Sequence, residues 1–186
     1  MIVPPREHGL FTRQGVAWLH ALNIEPIDCY LRVASTLSEE IRKLSLELEH
    51  LAEGDEDVRL LMTIPGIGYY TALLVKAEVG DVNRFSTGEQ LCSYAGIVPS
   101  THSSAEVTRH GGITKEGSRW LRWAMVEAAL VHLKYDTSIT RAYHRIAERR
   151  GKQVARVAAA RKLLMCSWAI LKSRQPYYDQ ACGSPR

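Results

Sequence analysis

The sequence predicts a mainly α fold, in which a helical arm precedes a helical domain that is interrupted by one irregular polar loop. Apolar residues recur at helical spacing through most of the chain. Residues 96–113 are the exception, because they are polar, lack a helical period and leave room for a short strand or two. No apolar run reaches the length of a membrane span, so we expect no membrane partner.

The arm is predicted at residues 29–53, after an N-terminal segment at 1–28. Its apolar residues alternate in steps of four and three, and they are Tyr30, Ala34, Leu37, Ile41, Leu44, Leu48 and Leu51. This spacing is a heptad seam. A helical hairpin within the chain and a coiled coil between chains would both use it. The second alternative makes a homo-oligomer through the Tyr30–Leu51 helix an expected assembly.

The helical domain is predicted at residues 54–175, followed by a tail at 176–186. Asp55 is placed to cap its first helix, Ser86 to Glu89 form a capping-box pattern, and Thr114 is placed to cap a long helix. The expected helices are 58–63, 69–79, 86–94, 114–130, 138–150 and 152–173.

The two halves of the chain carry opposite charge. Residues 1–100 contain 8 Lys and Arg against 14 Asp and Glu, a net charge of −6. Residues 101–186 contain 16 Lys and Arg against 6 Asp and Glu, a net charge of +10. A strongly basic half favours a polyanion such as nucleic acid as its partner, whereas the alternative is an ordinary solvated helix surface.

The sharpest local motif is an apolar-Pro-Gly-Ile-Gly segment between two helical patterns, and it resembles the helix-hairpin-helix motif at residues 58–79. Gly66 and Gly68 leave no side chain in the way of a phosphate. The amides of the turn and of the next helix, from Ile67 to Thr71, could then bind the anion. The alternative is a tight αα-hairpin that uses glycines for packing alone.

Two further segments carry candidate binding residues. Lys115, Arg119 and Arg122 follow one another in steps of four and three, which predicts a basic helix face, with Trp120 and Trp123 on another face in the core. The alternative is a solvated face with extended stems. The last two predicted helices form a basic pair with few acids, for which nucleic acid is the natural counter-charge and a solubilising role is the alternative; its basic residues are Arg141, Arg145, Arg149, Arg150, Lys152, Arg156, Arg161 and Lys162. Of these, Arg156, Arg161 and Lys162 are the candidates for nucleic-acid binding, together with Arg109.

The polar loop contains Ser103 and Ser104. From composition alone such a cluster is a solvated loop, because a serine needs a base, a metal or an oriented hydrogen bond to act as a nucleophile.

Taken in order, these motifs resemble one family: the C-terminal domain of the insertion-sequence transposases that have a RuvC-like N-terminal domain, described as bridge-RNA-guided recombinases. The segments that carry the resemblance are Gly9 to Gly15, Ile64 to Gly68, Gly80 to Phe85, Tyr94 to Pro99, Ser103–Ser104, Gly112 to Arg122 and Ala155 to Leu163.

The resemblance implies a reaction and its residues. A serine hydroxyl attacks a DNA phosphodiester and forms a phosphoseryl link, and the family's position matches Ser104 best, with Ser103 as the alternative. It also implies DNA and a structured guide RNA as partners, and a cytoplasmic location. Divalent metal belongs to the RuvC-like domain, so we expect no metal site or cofactor within this chain.

We expect the chain alone to bind nucleic acid without recombining DNA, because the resemblance places the metal in a domain that this sequence does not contain. Two other interpretations remain open. One is a catalytically inert helix-hairpin-helix module that binds DNA or RNA, and the other is a dimerisation module that uses the heptad helix.

Overall fold

The protein is mainly helical, as the sequence predicts. The structure, a computed structural model, describes residues 9–104 and 107–179, and for residues 101–104 and 107–110 it describes the backbone alone. Residues 1–8 of the predicted N-terminal segment and 180–186 of the predicted tail lie outside the described residues. The chain divides into two units, residues 1–47 and 48–186.

The elements of the described chain follow one another with short connections. The helices are α1 (Arg13–Ala21), α2 (Glu25–Glu53), α3 (Glu56–Met62), α4 (Tyr69–Val79), α5 (Gly88–Tyr94), α6 (Arg119–His132), α7 (Ser138–Arg150) and α8 (Lys152–Ser173). A 3₁₀ turn at Val82–Arg84 precedes α5, and strands β1 (Pro99–Ser104) and β2 (Val107–Ile113) precede α6.

In the first unit, a polar side chain caps the start of the first helix. The Thr12 side chain accepts a hydrogen bond from the Gly15 amide and so caps α1. The predicted arm is confirmed as a helix, and it begins earlier than expected, since Pro26 lies in its first turn, where the missing N–H has no cost. The heptad seam is open to solvent among the described residues, with Tyr30 76% and Ile41 63% exposed.

The core of the second unit surrounds α8. This helix contacts α3, α5, α6 and α7. Its buried residues occupy one broad face of the helix, and most positions on the opposite face are half-buried, which suits a helix with several neighbours. The buried residues are Ala155, Ala159, Ala160, Leu163, Leu164, Cys166, Ser167, Ile170 and Leu171. The small residues of its first half allow neighbouring helices to approach closely.

Of three predicted helix caps, one agrees with the structure and two differ from it. Asp55 caps α3 as predicted, accepting from the amides of Asp57 and Val58. The cap of α5 is Thr87 rather than Ser86, so the capping pattern is shifted by one residue. Ser118, not Thr114, caps α6: its hydroxyl accepts from the Leu121 amide at 3.1 Å.

The polar segment, which the sequence left open to a short strand or two, contains a two-stranded β-hairpin. Strands β1 and β2 pair antiparallel, with Ser104 opposite Val107 and Pro99 opposite Ile113. The register shifts between Pro99 and Thr101, where the Ser100 hydroxyl donates to the Gly112 carbonyl at 2.9 Å.

Candidate nucleic-acid interface

The turn between α3 and α4 is built from residues 64–68 and packs against α6. Gly66 has a φ of +91°, a conformation that glycine adopts without strain. A Cβ at this position would lie 2.7 Å from the His132 nitrogen and 2.8 Å from the Ala128 carbonyl oxygen. Gly66 is therefore required for close packing of the turn on α6, and Ile67 beside it is 4% exposed.

Gly68 differs from Gly66 in both conformation and surroundings. Its φ is −91°, it is exposed, and a Cβ there would meet no atom within 4 Å. It caps α4 without a side-chain hydrogen bond. Within the described chain, the amides of residues 68–71 have no hydrogen-bond partner, and the first α4 bond is from Ala72 to the Gly68 carbonyl. This helix start is the part of the turn that is open to an anion.

Buried His132 of α6 holds the glycine turn in position. Nδ1 of His132 lies 2.6 Å from the Pro65 carbonyl oxygen, and Nε2 lies 2.8 Å from the Thr137 hydroxyl. The Tyr177 ring packs edge-on against the imidazole, and the Tyr177 amide donates to the Thr63 hydroxyl. The position of the turn therefore depends on α6 and on the chain after α8.

An ion-pair network on the other side of α3 and α4 also fixes their relative position. Lys76 of α4 pairs with Asp55 and Asp57, and Arg174 pairs with Asp57 and Glu56. Burial alone would raise the pKa of Asp55, but hydrogen bonds from Lys76 and the Val58 amide and nearby positive charges bring it below its usual value. Lys76 is therefore engaged within the domain.

The predicted basic face around α6 is only partly present. Lys115 lies outside the helix, with a φ of +57°, because α6 begins at Arg119. Arg122 is half-buried and donates from Nη1 to the Ala95 carbonyl at 2.8 Å, which ties α6 to the end of α5. Arg119 and Lys115 are exposed, and neither has an ion-pair partner among the described residues.

The two α6 tryptophans do not lie in the core, as the sequence had suggested. Trp120 is 53% exposed and Trp123 is 46% exposed. The buried positions of the helix are Leu121, Ala124, Met125, Ala128, Ala129 and His132. Three of these residues are alanines, and Ala128 is one of the residues that the glycine turn packs against. Spacing alone placed the tryptophans on one face but could not show that this face is open to solvent.

The basic residues of the last two helices differ in accessibility. Arg156, Arg161 and Lys162 on α8 are half-buried, and Nε of each of the two arginines is buried without a partner among the described residues. On α7, Arg145, Arg149 and Arg150 are exposed and form no ion pair with a described carboxylate. The more accessible positive charge of the predicted basic helix pair is thus on α7.

The candidate serines lie at the free end of the hairpin. Ser103 is paired with Thr108, and Ser104 is the last residue of β1 before the connection to Val107. Arg109 lies on β2 opposite His102. The side chains of these residues lie outside the described part, so Ser103, Ser104 and Arg109 stay predictions.

The hairpin is anchored at the start of α6. The Thr114 amide donates to the Val98 carbonyl, and the Lys115 amide donates to the Gly96 carbonyl at 3.1 Å. A Cβ on Gly117, which has a φ of +96°, would collide with the Tyr94 carbonyl oxygen. The geometry therefore brings the hairpin base, Arg119 and the tryptophans to one end of α6, whereas the glycine turn packs near its other end.

The described residues offer neither a metal site nor a membrane span. No group of three or more His, Cys, Asp and Glu side chains among them is placed to hold a metal ion. None of the described helices combines the length and apolar composition needed to cross a bilayer.

The relatives of this chain include transposases. It is 35% identical over 162 residues to the transposase for insertion sequence element IS1111A of Coxiella burnetii, covering 85% of this chain and 44% of the relative. It is 33% identical over 147 residues to a probable family 20 transposase of Pseudomonas aeruginosa, covering 77% of this chain and 43% of the relative.

A third relative is the pilin gene-inverting protein of Moraxella bovis, 31% identical over 134 residues, with 70% of this chain and 40% of the relative covered. Residues 58–145 match the family model described as Transposase IS116/IS110/IS902 family. The matched region extends from α3 to the middle of α7. The chain spans less than half the length of these relatives.

Proposed function

We propose that this chain is the nucleic-acid-binding, serine-bearing part of an insertion-sequence transposase that acts in DNA transposition or site-specific recombination. The observation that carries the proposal is the family match over residues 58–145, which includes the glycine turn, the hairpin and α6. The pilin gene-inverting relative agrees with a DNA rearrangement, since its name describes the inversion of a gene.

The glycine turn binds a phosphate of the DNA backbone in this proposal. Unpartnered amides at residues 68–71 and the positive end of the α4 dipole supply the interaction, and exposed Gly68 allows the backbone to approach. Such contacts position the duplex without reading its sequence. Arg119, Lys115 and the α7 arginines contribute positive charge, and a structured guide RNA would use the same kind of contact.

Ser104 is the proposed nucleophile, with Ser103 as the alternative. Its hydroxyl oxygen forms a bond to the phosphorus of a DNA phosphodiester as the bond from phosphorus to one deoxyribose oxygen breaks. The serine proton is lost and the released deoxyribose oxygen gains one. A second DNA end then displaces the serine, so the phosphodiester energy is retained in the covalent link.

Divalent metal is expected from a RuvC-like domain. The described residues do not fit such an ion, because they hold no group of three suitable ligands. In this proposal the chain supplies the binding and positioning of DNA and the nucleophile.

Covalent trapping tests the nucleophile. The chain is incubated with DNA, divalent metal and a RuvC-like domain supplied as a separate polypeptide, and protein–DNA adducts are separated under denaturing conditions. Ser104→Ala should abolish the adduct, while the neighbouring Ser103→Ala should retain it. If neither the unaltered chain nor the Ser103→Ala variant forms an adduct while both still bind DNA, the inert binding-module alternative is correct.

Salt dependence and a glycine pair test the binding. Affinity for duplex DNA should fall linearly on a log–log plot against salt concentration, with a slope set by the number of phosphate contacts. Gly68→Ala should weaken binding, whereas Gly54→Ala, also exposed and with 3.8 Å of clearance to the nearest atom, should not. Equal affinities of the two variants would contradict phosphate binding at the turn.

The open heptad seam supports a second proposal, that two copies pair through the Tyr30–Leu51 helix. Leu37 and Leu44 are each more than half exposed, and a heptad seam needs an apolar partner. Leu37→Lys should shift light-scattering mass toward the monomer, while Ser38→Lys, off the seam, should not. A strict monomer at micromolar concentration would contradict this pairing.

A further inference from the structure

We propose that Trp120 and Trp123 form a stacking platform for unpaired nucleobases of single-stranded DNA or RNA. This inference rests on the proposed nucleic-acid function. It adds that the nucleic acid bound at the base of the hairpin is single-stranded.

The platform consists of two large aromatic surfaces that face solvent. Trp120 and Trp123 are three residues apart on α6, so their side chains are neighbours on one face of the helix. Neither indole N–H has a hydrogen-bond partner among the described residues, whereas that of Trp168 donates to the Phe85 carbonyl at 3.0 Å. The indole N–H of Trp168 is therefore used in a structural hydrogen bond, whereas those of the α6 pair are not.

Arginine completes the platform. Cζ of Arg119 lies 4.9 Å from the Trp120 ring centroid, and the guanidinium is exposed. Aromatic rings and arginine planes are the surfaces on which proteins stack successive unpaired bases, and the positive charge serves the adjoining phosphate. Lys115, exposed just before the helix, adds a second cation.

A similar arrangement lies beside the start of α6. The Ser118 amide donates to the Tyr94 carbonyl at 3.2 Å, which places the end of α5 next to the platform helix. Cζ of Arg84 lies 4.6 Å from the ring centroids of both Tyr94 and Phe85. Tyr94 is 37% exposed. The hairpin that bears the candidate nucleophile begins at the same end of α6, so bases held here would adjoin the strand that reacts.

The size of the surface favours bases over a protein partner. Two half-exposed indoles offer about 200 Å², from the roughly 150–250 Å² that each aromatic side chain can bury. A stable protein interface needs about 800 Å² on each side. Exposed Glu127, one turn after Trp123, limits the apolar surface in that direction. Paired bases in a helix expose no free faces, so the ligand is unpaired nucleic acid.

Binding of the full chain to three probes of equal length tests the inference: a thymidine oligonucleotide, a uridine oligonucleotide and an abasic oligonucleotide that retains the phosphates. The first two should bind more tightly than the third, and the tighter of them identifies DNA or RNA. Trp123→Ala should weaken binding to the preferred probe about 5- to 150-fold. Trp123→Phe keeps an aromatic face and should lose much less.

Tyr135→Ala is the matched control, since Tyr135 is an exposed aromatic residue beyond the other end of α6, and it should bind like the unaltered chain. Equal affinity for the abasic and thymidine probes would overturn the platform, while retained duplex binding would leave the proposed function standing. Failure to bind any nucleic acid would overturn both. A change in oligomeric state with unchanged probe affinity in the alanine variant would make the surface a protein contact instead.

Discussion

Gly66→Ala should destabilise the second unit far more than Gly68→Ala, although the two glycines lie in the same turn. At Gly66 a side chain meets a φ of +91° and two backbone atoms at 2.7 and 2.8 Å. The left-handed conformation costs about 1–2 kcal/mol for a non-glycine residue, and overpacking against an immobile backbone costs about 1–3 kcal/mol. The expected total is about 2–5 kcal/mol.

At Gly68 the same change meets an ordinary φ and open space. The poorer capping propensity of alanine is offset by the lower entropy of its unfolded chain, so the stability should change by less than about 1 kcal/mol. Thermal unfolding followed by near-UV circular dichroism should show a decrease of roughly 5–15 °C for Gly66→Ala alone. Equal melting temperatures would refute the packing of the turn against His132 and Ala128.

Three further predictions separate structural residues from binding residues. Ser118→Ala should lower the free energy of unfolding in urea by about 1 kcal/mol, because it removes the α6 cap. Thr114→Ala should change it by less than about 0.5 kcal/mol. Equal effects of the two substitutions would contradict the assignment of Ser118 as the cap. Arg122→Ala should destabilise the domain by about 1–3 kcal/mol through the lost bond to Ala95, while Arg119→Ala should leave stability unchanged and weaken nucleic-acid binding. Burial alone would raise the pKa of Asp179, but hydrogen bonds from the Ser138 amide and hydroxyl and from the Tyr177 hydroxyl bring it below its usual value. Because the pKa values of Asp55 and Asp179 are both lowered in the folded state, their stabilisation should be present above about pH 4 and decrease as the pH falls below it. A smaller acid-induced loss of stability in Asp55→Asn, measured by melting temperature against pH, checks this.

The sequence located most of the helices because turn and capping residues separate them. Gly151 separates α7 from α8 as predicted, and Asp55 caps α3. The start of α6 was wrong because Thr114 and Ser118 are both good capping residues. What decides between them is tertiary: the left-handed conformations of Lys115 and Gly117 allow the chain to cross beside Gly96 and Tyr94 before the helix begins.

The candidate site shows the same limit at the level of side chains. The period of α6 groups Trp120 with Trp123, but it does not show which face is buried. The packing of Gly66 against Ala128 and His132 places another face in the core and leaves the tryptophans outside. Similarly, the charge of the C-terminal half does not distinguish half-buried Arg161 from exposed Arg145. Composition predicts that cations are present, whereas accessibility depends on which helix the fold makes central.

Helix α6 connects the proposed binding elements physically. At its N-terminal end, Ser118 and Arg122 hold the carbonyls of Tyr94 and Ala95, beside the base of the hairpin. At its C-terminal end, His132 holds the Pro65 carbonyl of the glycine turn. The length of the helix, about 20 Å for 14 residues, therefore sets the spacing between the glycine turn, where we propose phosphate binding, and the hairpin base. A DNA or RNA strand that reaches both must span this distance, which is why substitutions that move α6 should weaken binding even where they contact no nucleic acid.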